Sequence, residues 1–396
     1  MNEVYPILIP ALIAFFSTCW IRPYILQVAN EKNIVDNPNA RKLQRVPVPL
    51  LGGLTVVFGI LSGFMGGYLF GDSFDWFPVI TSVIIILIVG FIDDTISLSP
   101  RVRFFIEIIL VVYLIYTTGS RLNDFHGLWG LHLLPEYISV PLTVFACIGI
   151  INAINLIDGV DGYSSGYSIV SCVLFGAVFH VFGNVQMVIL SAVVAASLLP
   201  FFVHNVFGVH SKMFIGDAGT LSLGIIFSVF VTTVLSGNSP SVSVQANFGF
   251  IPFTLSVLCI PVFDTLRVMT ARMFAGRSPF SPDKTHLHHL FIELGYSHIG
   301  TTVSIIGMNL LVVFCWYLSY RFGFSIDFQL YVVVVSSVLM TFVFYSSVKY
   351  QIRKKSIIYR FLRRMGRFTH VERKGFWLFI QKWVDGETTN EDFGTN

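Results

Sequence analysis

Five short runs of this sequence carry polar side chains whose types and spacing suit chemistry. The first, Gly90-Phe91-Ile92-Asp93-Asp94, closes a long apolar stretch with two adjacent carboxylates. Ionisable groups at such an edge are costly and point to function by default. Neighbouring carboxylates repel, so one of them can hold a proton more tightly and act as a base near neutral pH. The plainer reading is a helix end that has reached water. Arg101 and Arg103 follow closely, and bases so near two acids suggest an anionic substrate held between them. The second run is Asn152-Ala153-Ile154-Asn155-Leu156-Ile157-Asp158-Gly159-Val160-Asp161-Gly162. Asn152, Asn155 and Asp158 recur three apart, one face of a helix. Their oxygens are the hard donors that Mg²⁺ and Mn²⁺ take. Gly159 and Gly162 permit a tight turn and close approach of backbone to phosphate. A polar turn between two spans is the alternative, and so many polar side chains in an apolar setting weigh against it.

The third run, Phe214-Ile215-Gly216-Asp217-Ala218-Gly219-Thr220, places an acid and two glycines before an apolar segment. That is a phosphate or metal turn with free N–H groups at a helix start, or simply Asp217 capping the helix. The fourth, Arg277-Ser278-Pro279-Phe280-Ser281-Pro282-Asp283-Lys284-Thr285-His286-Leu287-His288-His289, ends in three histidines within four residues. Zinc is one reading. No cysteine lies near and Arg277 and Lys284 flank the run, so a pocket for a nucleotide diphosphate fits better: arginine and imidazole bind phosphate and ribose oxygens. The fifth, Arg41-Lys42-Leu43-Gln44-Arg45, precedes Pro47, Pro49 and the Gly52-Gly53 pair. It is basic and turn-rich, and reads equally as charge anchoring beside a membrane.

The elements that must position these runs are membrane helices. Of 396 residues 54% are hydrophobic and only 12% charged, against about 25% charged in an ordinary soluble domain. There is too little polar sequence to coat a soluble surface of this size. Net charge is only +3, which argues against a nucleic-acid partner. Each of the five cysteines sits in an apolar run without metal-ligand spacing, the usual situation of a small buried apolar residue. Apolar stretches long enough to span a bilayer fall at 4–22, 51–70, 77–93, 104–118, 138–157, 163–183, 185–203, 219–236, 248–270, 301–320 and 326–348. The expected fold is therefore an all-α, polytopic helix bundle of about eleven spans, residues 1–348, followed by a basic tail, 349–396. With the N-terminus outside, 23 of the 25 lysines and arginines fall on inner segments and only Arg121 and Arg321 outside. That bias predicts an N-out, C-in topology, and it puts every acid and histidine run on the inner side. Residues 349–368 read as one basic amphipathic helix on the inner surface, an anchor or partner contact apart from the chemistry.

Taken together the five runs, in this order over residues 40–300, resemble the polyprenyl-phosphate N-acetylhexosamine-1-phosphate transferase family. The Ser278–His289 run is similar to its N-acetylglucosamine-1-phosphate branch. The resemblance implies transfer of a sugar-1-phosphate from a UDP-sugar donor to polyprenyl phosphate with release of UMP. It also implies a bacterial inner membrane and the start of cell-surface polysaccharide synthesis. By the same likeness Asn155 and Asp217 are Mg²⁺ ligands, Mn²⁺ being an alternative ion. Asp93 and Asp94 are the acidic pair that activates the lipid phosphate, and Asp158 and Asp161 the catalytic acids of the second motif. Lys42, Arg103, Asn152, Arg277, His286, His288 and His289 are substrate-binding. Departures touch the first inner loop most: Gln44 stands where His is common and Leu50 where Arg is common, while Arg103 replaces a usual Lys, keeping charge but changing geometry. UDP-GlcNAc is the expected donor, with UDP-GalNAc, a deoxy-amino sugar or UDP-MurNAc-pentapeptide open. The oligomeric state is open too, a homodimer included. A transporter is the rival of another class, but transporters place their sites at the bilayer midplane, often between repeats, and neither feature is visible here.

Overall fold

The chain is described by a computed structural model covering residues 5–37, 46–69, 75–237, 247–279, 284–371 and 375–386. Lys42, with the rest of the basic first loop, lies outside the described residues. The first helix, α1 (Tyr5–Glu31), runs beyond its predicted end through Pro23. A two-residue antiparallel ribbon, β1 (Val35–Asp36) with β2 (Val48–Pro49), returns the chain to α2 (Gly52–Leu69). There follow α3 (Phe77–Ile96), α4 (Pro100–Thr118), α5 (Glu136–Leu156), α6 (Tyr163–Val181), α7 (Val185–Phe207) and α8 (Gly216–Val234). Then come α9 (Phe250–Val257), α10 (Cys259–Phe274), the short α11 (Leu287–Glu293), α12 (His298–Arg321), α13 (Ile326–Val338) and α14 (Phe344–Lys354). Two tail helices close the chain, α15 (Ile357–Phe368) and α16 (Gly375–Asp385).

Among the described residues eight helical stretches are long and apolar enough to cross a membrane, nine if α9 and α10 count as one span. The protein is thus a polytopic all-α membrane protein. The two remaining predicted spans, α2 and α4, are also helices, the first short and the second carrying Arg101, Arg103 and Glu107. Helix α8 is the axis: 89% of its apolar window is buried, and it packs on α3, α5 and α2. Small residues allow this proximity. A Cβ on Gly53 would lie 2.3 Å from the backbone nitrogen of Gly219, the close approach typical of membrane helix pairs. Much of the phenylalanine content forms one aromatic core in which Phe175, Phe227, Phe230, Phe253 and Trp316 meet edge-on or tilted.

Three predicted elements are corrected. The span expected at 248–270 is broken: α9 and α10 meet at 73°. A break inside a membrane leaves backbone groups that need partners. Asn309 of α12 supplies them, accepting from Ile260 N and donating to the Val257 carbonyl, while Tyr167 Oη donates to that same carbonyl. The last span contains a π-helical turn, Leu339–Val343, and continues to Lys354 rather than ending at 348. The tail is not one helix over 349–368. Lys355 takes a left-handed conformation (φ 49°) and Ser356 caps a new helix by accepting from Tyr359 N.

The bundle has two distinct ends. At one, Asn123 accepts from Gly237 N, and Trp129 N donates to Asp327, tying the 119–135 loop across the starts of later helices. At the other, all four described polar runs converge.

Candidate active site

The turn between α3 and α4 sets the first acid. Ser97 (φ 62°) ends α3, and Ser99 with Pro100 begins α4, the serine hydroxyl accepting from Val102 N; Pro suits that first helical position because its missing N–H needs no partner there. Within this turn Asp93 accepts from Leu98 N (2.7 Å) and from Arg103 Nη1 (3.1 Å). Arg103 also lies 3.5 Å from Asp217 and 3.5 Å from Glu107, so one guanidinium ties three carboxylates. Asp94 reaches a different element. Its oxygens accept from Asp217 N (3.0 Å) and Ala218 N (3.1 Å), capping α8 from a neighbouring helix. The N-cap residue of α8 itself is Ile215, without a side-chain bond, so Asp217 does not cap the helix. It sits inside the first turn, freed by Asp94 for another use. Gly216 adopts φ 66°, and a Cβ there would strike Asp94 Oδ2.

Asn155 at the end of α5 donates from Nδ2 to Asp217 Oδ1 (2.7 Å) and Thr220 Oγ1 (2.9 Å). The two residues expected as metal ligands thus meet, from different helices. The expected single face of Asn152, Asn155 and Asp158 does not form. Helix α5 stops at Leu156, and Asp158 lies in the following turn, accepting from Ser164 Oγ at 2.7 Å. Asn152 turns away to Glu107 Oε2 (3.2 Å). Gly162 (φ 75°) starts α6, its N–H held by Asn205 Oδ1, whose Nδ2 binds the Met213 carbonyl. Asn205 thereby fastens the second run to the third. The segment after β2 is fastened likewise, Gly52 N and Gly53 N donating to the carbonyls of Phe214 and Ile215.

Asp161 is clamped by two basic side chains, Lys212 Nζ at 2.5 Å and His298 Nδ1 at 2.6 Å. Burial alone would raise its proton affinity, but the bonds and charges of His298 and Lys212 hold its carboxyl below the usual range. Asp158 has no such partners. Enclosure by the cleft walls, then the charges of Asp217 and Asp161, raise its proton affinity, although the side chain is open to the cleft and the Ser164 bond opposes the rise.

The three histidines take different partners, although their rings lie near one another, with centroids 5.8 Å apart for His286 and His288 and 4.3 Å for His288 and His289. His286 Nδ1 pairs with Asp264 Oδ2 at 3.0 Å. Asp264 also accepts from Leu287 N and from Arg267, whose guanidinium stacks 3.7 Å over the Tyr345 ring. His288 is buried against Gly159; burial, then the neighbouring imidazoles, hold it neutral, well below its ordinary value. His289 lines the cleft. Arg277 is exposed beyond α10 and outside the cleft lining.

The cleft has a volume of about 580 Å³ and is lined by Asp93, Asp94, Asp158, Asp161 and Asp217, with Lys212, His289 and His298 as basic side chains and Leu50, Phe201 and Phe214 as apolar wall. Sequence reasoning missed Glu107, Lys212, Asp264 and His298. Each has a partner far away in the chain: Glu107 meets Asn152, Asp264 meets His286, and Lys212 and His298 meet Asp161. A lone acid inside an apolar helix was a usable signal for Glu107 and Asp264.

This cleft of carboxylates and basic groups at one end of a membrane bundle is the candidate active site. The family model described as glycosyl transferase family 4 matches residues 76–235, which carry the acid pair, the second run and Asp217. A probable undecaprenyl-phosphate N-acetylglucosaminyl 1-phosphate transferase of Bacillus subtilis is 30% identical over 297 residues, 74% of this chain and 79% of the relative. Undecaprenyl-phosphate alpha-N-acetylglucosaminyl 1-phosphate transferases of Yersinia pestis (28% over 349 residues, 86% and 91% of the two chains) and Escherichia coli strain K12 (30% over 283 residues, 68% and 72%) are similar too. The chain belongs to glycosyl transferase family 4.

Proposed function

We propose that this protein transfers N-acetylglucosamine-1-phosphate from UDP-GlcNAc to undecaprenyl phosphate, releasing UMP, at the cytoplasmic face of a bacterial inner membrane, as the first step of a lipid-linked polysaccharide. The observation that carries it is the convergence of Asp93, Asp94, Asp158, Asp161 and Asp217 in one cleft; the sequence's charge bias, 23 of 25 lysines and arginines on segments read as inner, favours the cytoplasmic face. The names of the relatives supply the sugar and the lipid. An oxygen of the lipid phosphate attacks the sugar-bearing phosphorus of the donor. A new P–O–P bond to the lipid forms, and the bond to UMP breaks. Asp93 is placed to position or deprotonate the acceptor phosphate, while Arg103 and Lys212 offset the charge of two anions that otherwise repel.

A divalent cation fits the donor set, which is oxygen only and hard. Asp217 and Asn155 would hold Mg²⁺ or Mn²⁺, with the Asn155 amide turned so that Oδ1 replaces Nδ2 toward the ion. Among the described residues no three His, Cys, Asp or Glu side chains form a closed ligand set; Mg²⁺ commonly takes its remaining ligands from substrate phosphates and water. When bound it neutralises the donor pyrophosphate. His286, oriented by Asp264, and His289 at the cleft are the donor-side contacts.

Purified protein in nanodiscs, given undecaprenyl phosphate and a panel of labelled donors, tests the reading. UDP-GlcNAc should give labelled lipid and UMP at least about tenfold faster than UDP-GalNAc, since a hydrogen-bonding site rejects a misplaced hydroxyl by that order or more. Equal turnover with UDP-MurNAc-pentapeptide would overturn the donor assignment.

A further inference from the structure

The two tail helices carry a surface that the transfer reaction does not use. On α15, Ile357, Ile358, Phe361, Met365 and Phe368 are all exposed. At about 100° per residue they share one arc of about 100°. Arg360, Arg363, Arg364 and Arg367 fill an adjoining arc. The third side is docked: Tyr359 and Leu362 pack on the core, and Gly366 sits against Tyr296 so closely that a Cβ would come within 2.8 Å. Helix α16 repeats the plan. Trp377 stacks on Phe207 (4.4 Å) and Val384 is buried, whereas Phe376, Phe379 and Trp383 share an exposed face.

Both helices are fastened beside the cleft. Thr369 Oγ1 accepts from Ser297 N, and the Thr369 carbonyl accepts from Ser297 Oγ. Asp385 accepts from Val209 N (2.9 Å), Ser211 N (3.0 Å) and Ser211 Oγ (2.6 Å). Ser297 immediately precedes His298, and Ser211 immediately precedes Lys212. Each tail anchor is therefore one residue from one of the two basic side chains that clamp Asp161.

We propose that α15 and α16 bind the anionic lipid surface of the leaflet on the active-site side, and that this contact steadies the Lys212–Asp161–His298 clamp through Asp385 and Thr369. The occupant follows from position and charge. Helix α15 begins three residues after the end of α14, which continues the last membrane-spanning stretch, so it stays within about 10 Å of the bundle end. From Lys349 to Arg367 the chain carries eight basic residues and no acid. An apolar strip flanked by arginines is the pattern of an interfacial helix, and each such cation near an anionic surface contributes about 1 kcal/mol. Exposed tryptophan and phenylalanine suit the same depth.

The test uses the whole protein in nanodiscs of phosphatidylcholine alone or mixed with phosphatidylglycerol, with brominated acyl chains as quencher. The fluorescence assigned to Trp383, from comparison with Trp383→Phe, should be quenched more strongly in the mixed discs. Joint replacement of Arg360, Arg363, Arg364 and Arg367 by Gln should remove that difference. Turnover should rise on the order of fivefold with phosphatidylglycerol, the scale of a typical coupling between two sites. Asp385→Asn should keep the quenching and lose the rise. Trp383 fluorescence indifferent to brominated lipid, or Trp383 protected by a second protein copy, overturns the lipid site. Quenching without any change in turnover overturns the coupling. The turnover arm rests on the proposed reaction, whereas the quenching arm does not, so an inactive donor pair leaves the lipid result decisive.

Discussion

Five carboxylates in one cleft do not share one role, and their partners separate them. Asp94 is spent on the backbone of α8 and Asp161 on Lys212 and His298. Asp217 and Asp93 both touch Arg103, yet only Asp217 meets Asn155. Asp217→Asn should therefore abolish the Mg²⁺ dependence of donor binding in calorimetry and reduce turnover at least about 10³-fold, while Asp93→Asn should keep metal-dependent donor binding and lose about 10²- to 10⁴-fold in turnover, the usual range for a proton-transfer group. Donor binding by Asp217→Asn with undiminished metal dependence would remove it from the metal site; near-normal turnover by Asp93→Asn would move the acceptor role to Asp158.

At the scale of elements, what brings the acids together is a set of close crossings and backbone bonds around α8. Gly53 and Gly219 let α2 and α8 touch, and the pairing of Gly52 and Gly53 with Phe214 and Ile215 sets the height at which Asp217 enters the cleft. Gly219→Val should force these helices apart. Overpacking of this kind costs about 1–3 kcal/mol, and here it should also lower turnover by more than the loss of folded protein explains, measured as activity per correctly inserted molecule. Unchanged specific activity would mean that the crossing only stabilises. Such contacts explain what was legible in the sequence. Helix positions were, because a membrane demands about 20 apolar residues per span and the acids interrupt that pattern visibly. Pairings were not. The kink at Leu258 has a sequence cause in Pro261, which cannot donate to the Val257 carbonyl four residues before it, but Asn309 and Tyr167, which satisfy that carbonyl, come from distant helices and are not marked in the run 248–270. The Asn152–Asn155–Asp158 face failed because Gly159 and Gly162 end the helix a turn early, leaving Asp158 in the turn beyond it. Lys212 and His298 escaped notice because each acquires meaning only when folding sets it beside Asp161.

At the scale of the molecule, everything rests on which end of the bundle faces the cytoplasm. Two features of the fold bear on it together. The end that holds Asp217 also holds Lys212 and the described tail helices with their arginines, whereas the opposite end, with the 119–135 loop pinned by Asp327 and Asn123, carries Arg121 and Arg321. Translocation of short loops disfavours basic residues, so the charge bias favours keeping the cation-rich end inside; under the proposed reaction that is also the side on which a cytoplasmic UDP-sugar would be met. Cysteine labelling in a chain whose five cysteines are replaced by serine or alanine separates the two orientations. Leu131→Cys, exposed at the loop end, should react with a membrane-impermeant maleimide on intact cells. Ser278→Cys, exposed beside α10, should react only after the membrane is opened. If Ser278→Cys is labelled from outside, the cleft faces away from the nucleotide sugar and the proposed donor cannot reach it, whatever the chemistry of the five carboxylates. If both positions label only after opening, the 119–135 loop is inside as well, and the bundle crosses the membrane an even number of times between residues 131 and 278 rather than the odd number the charge bias requires.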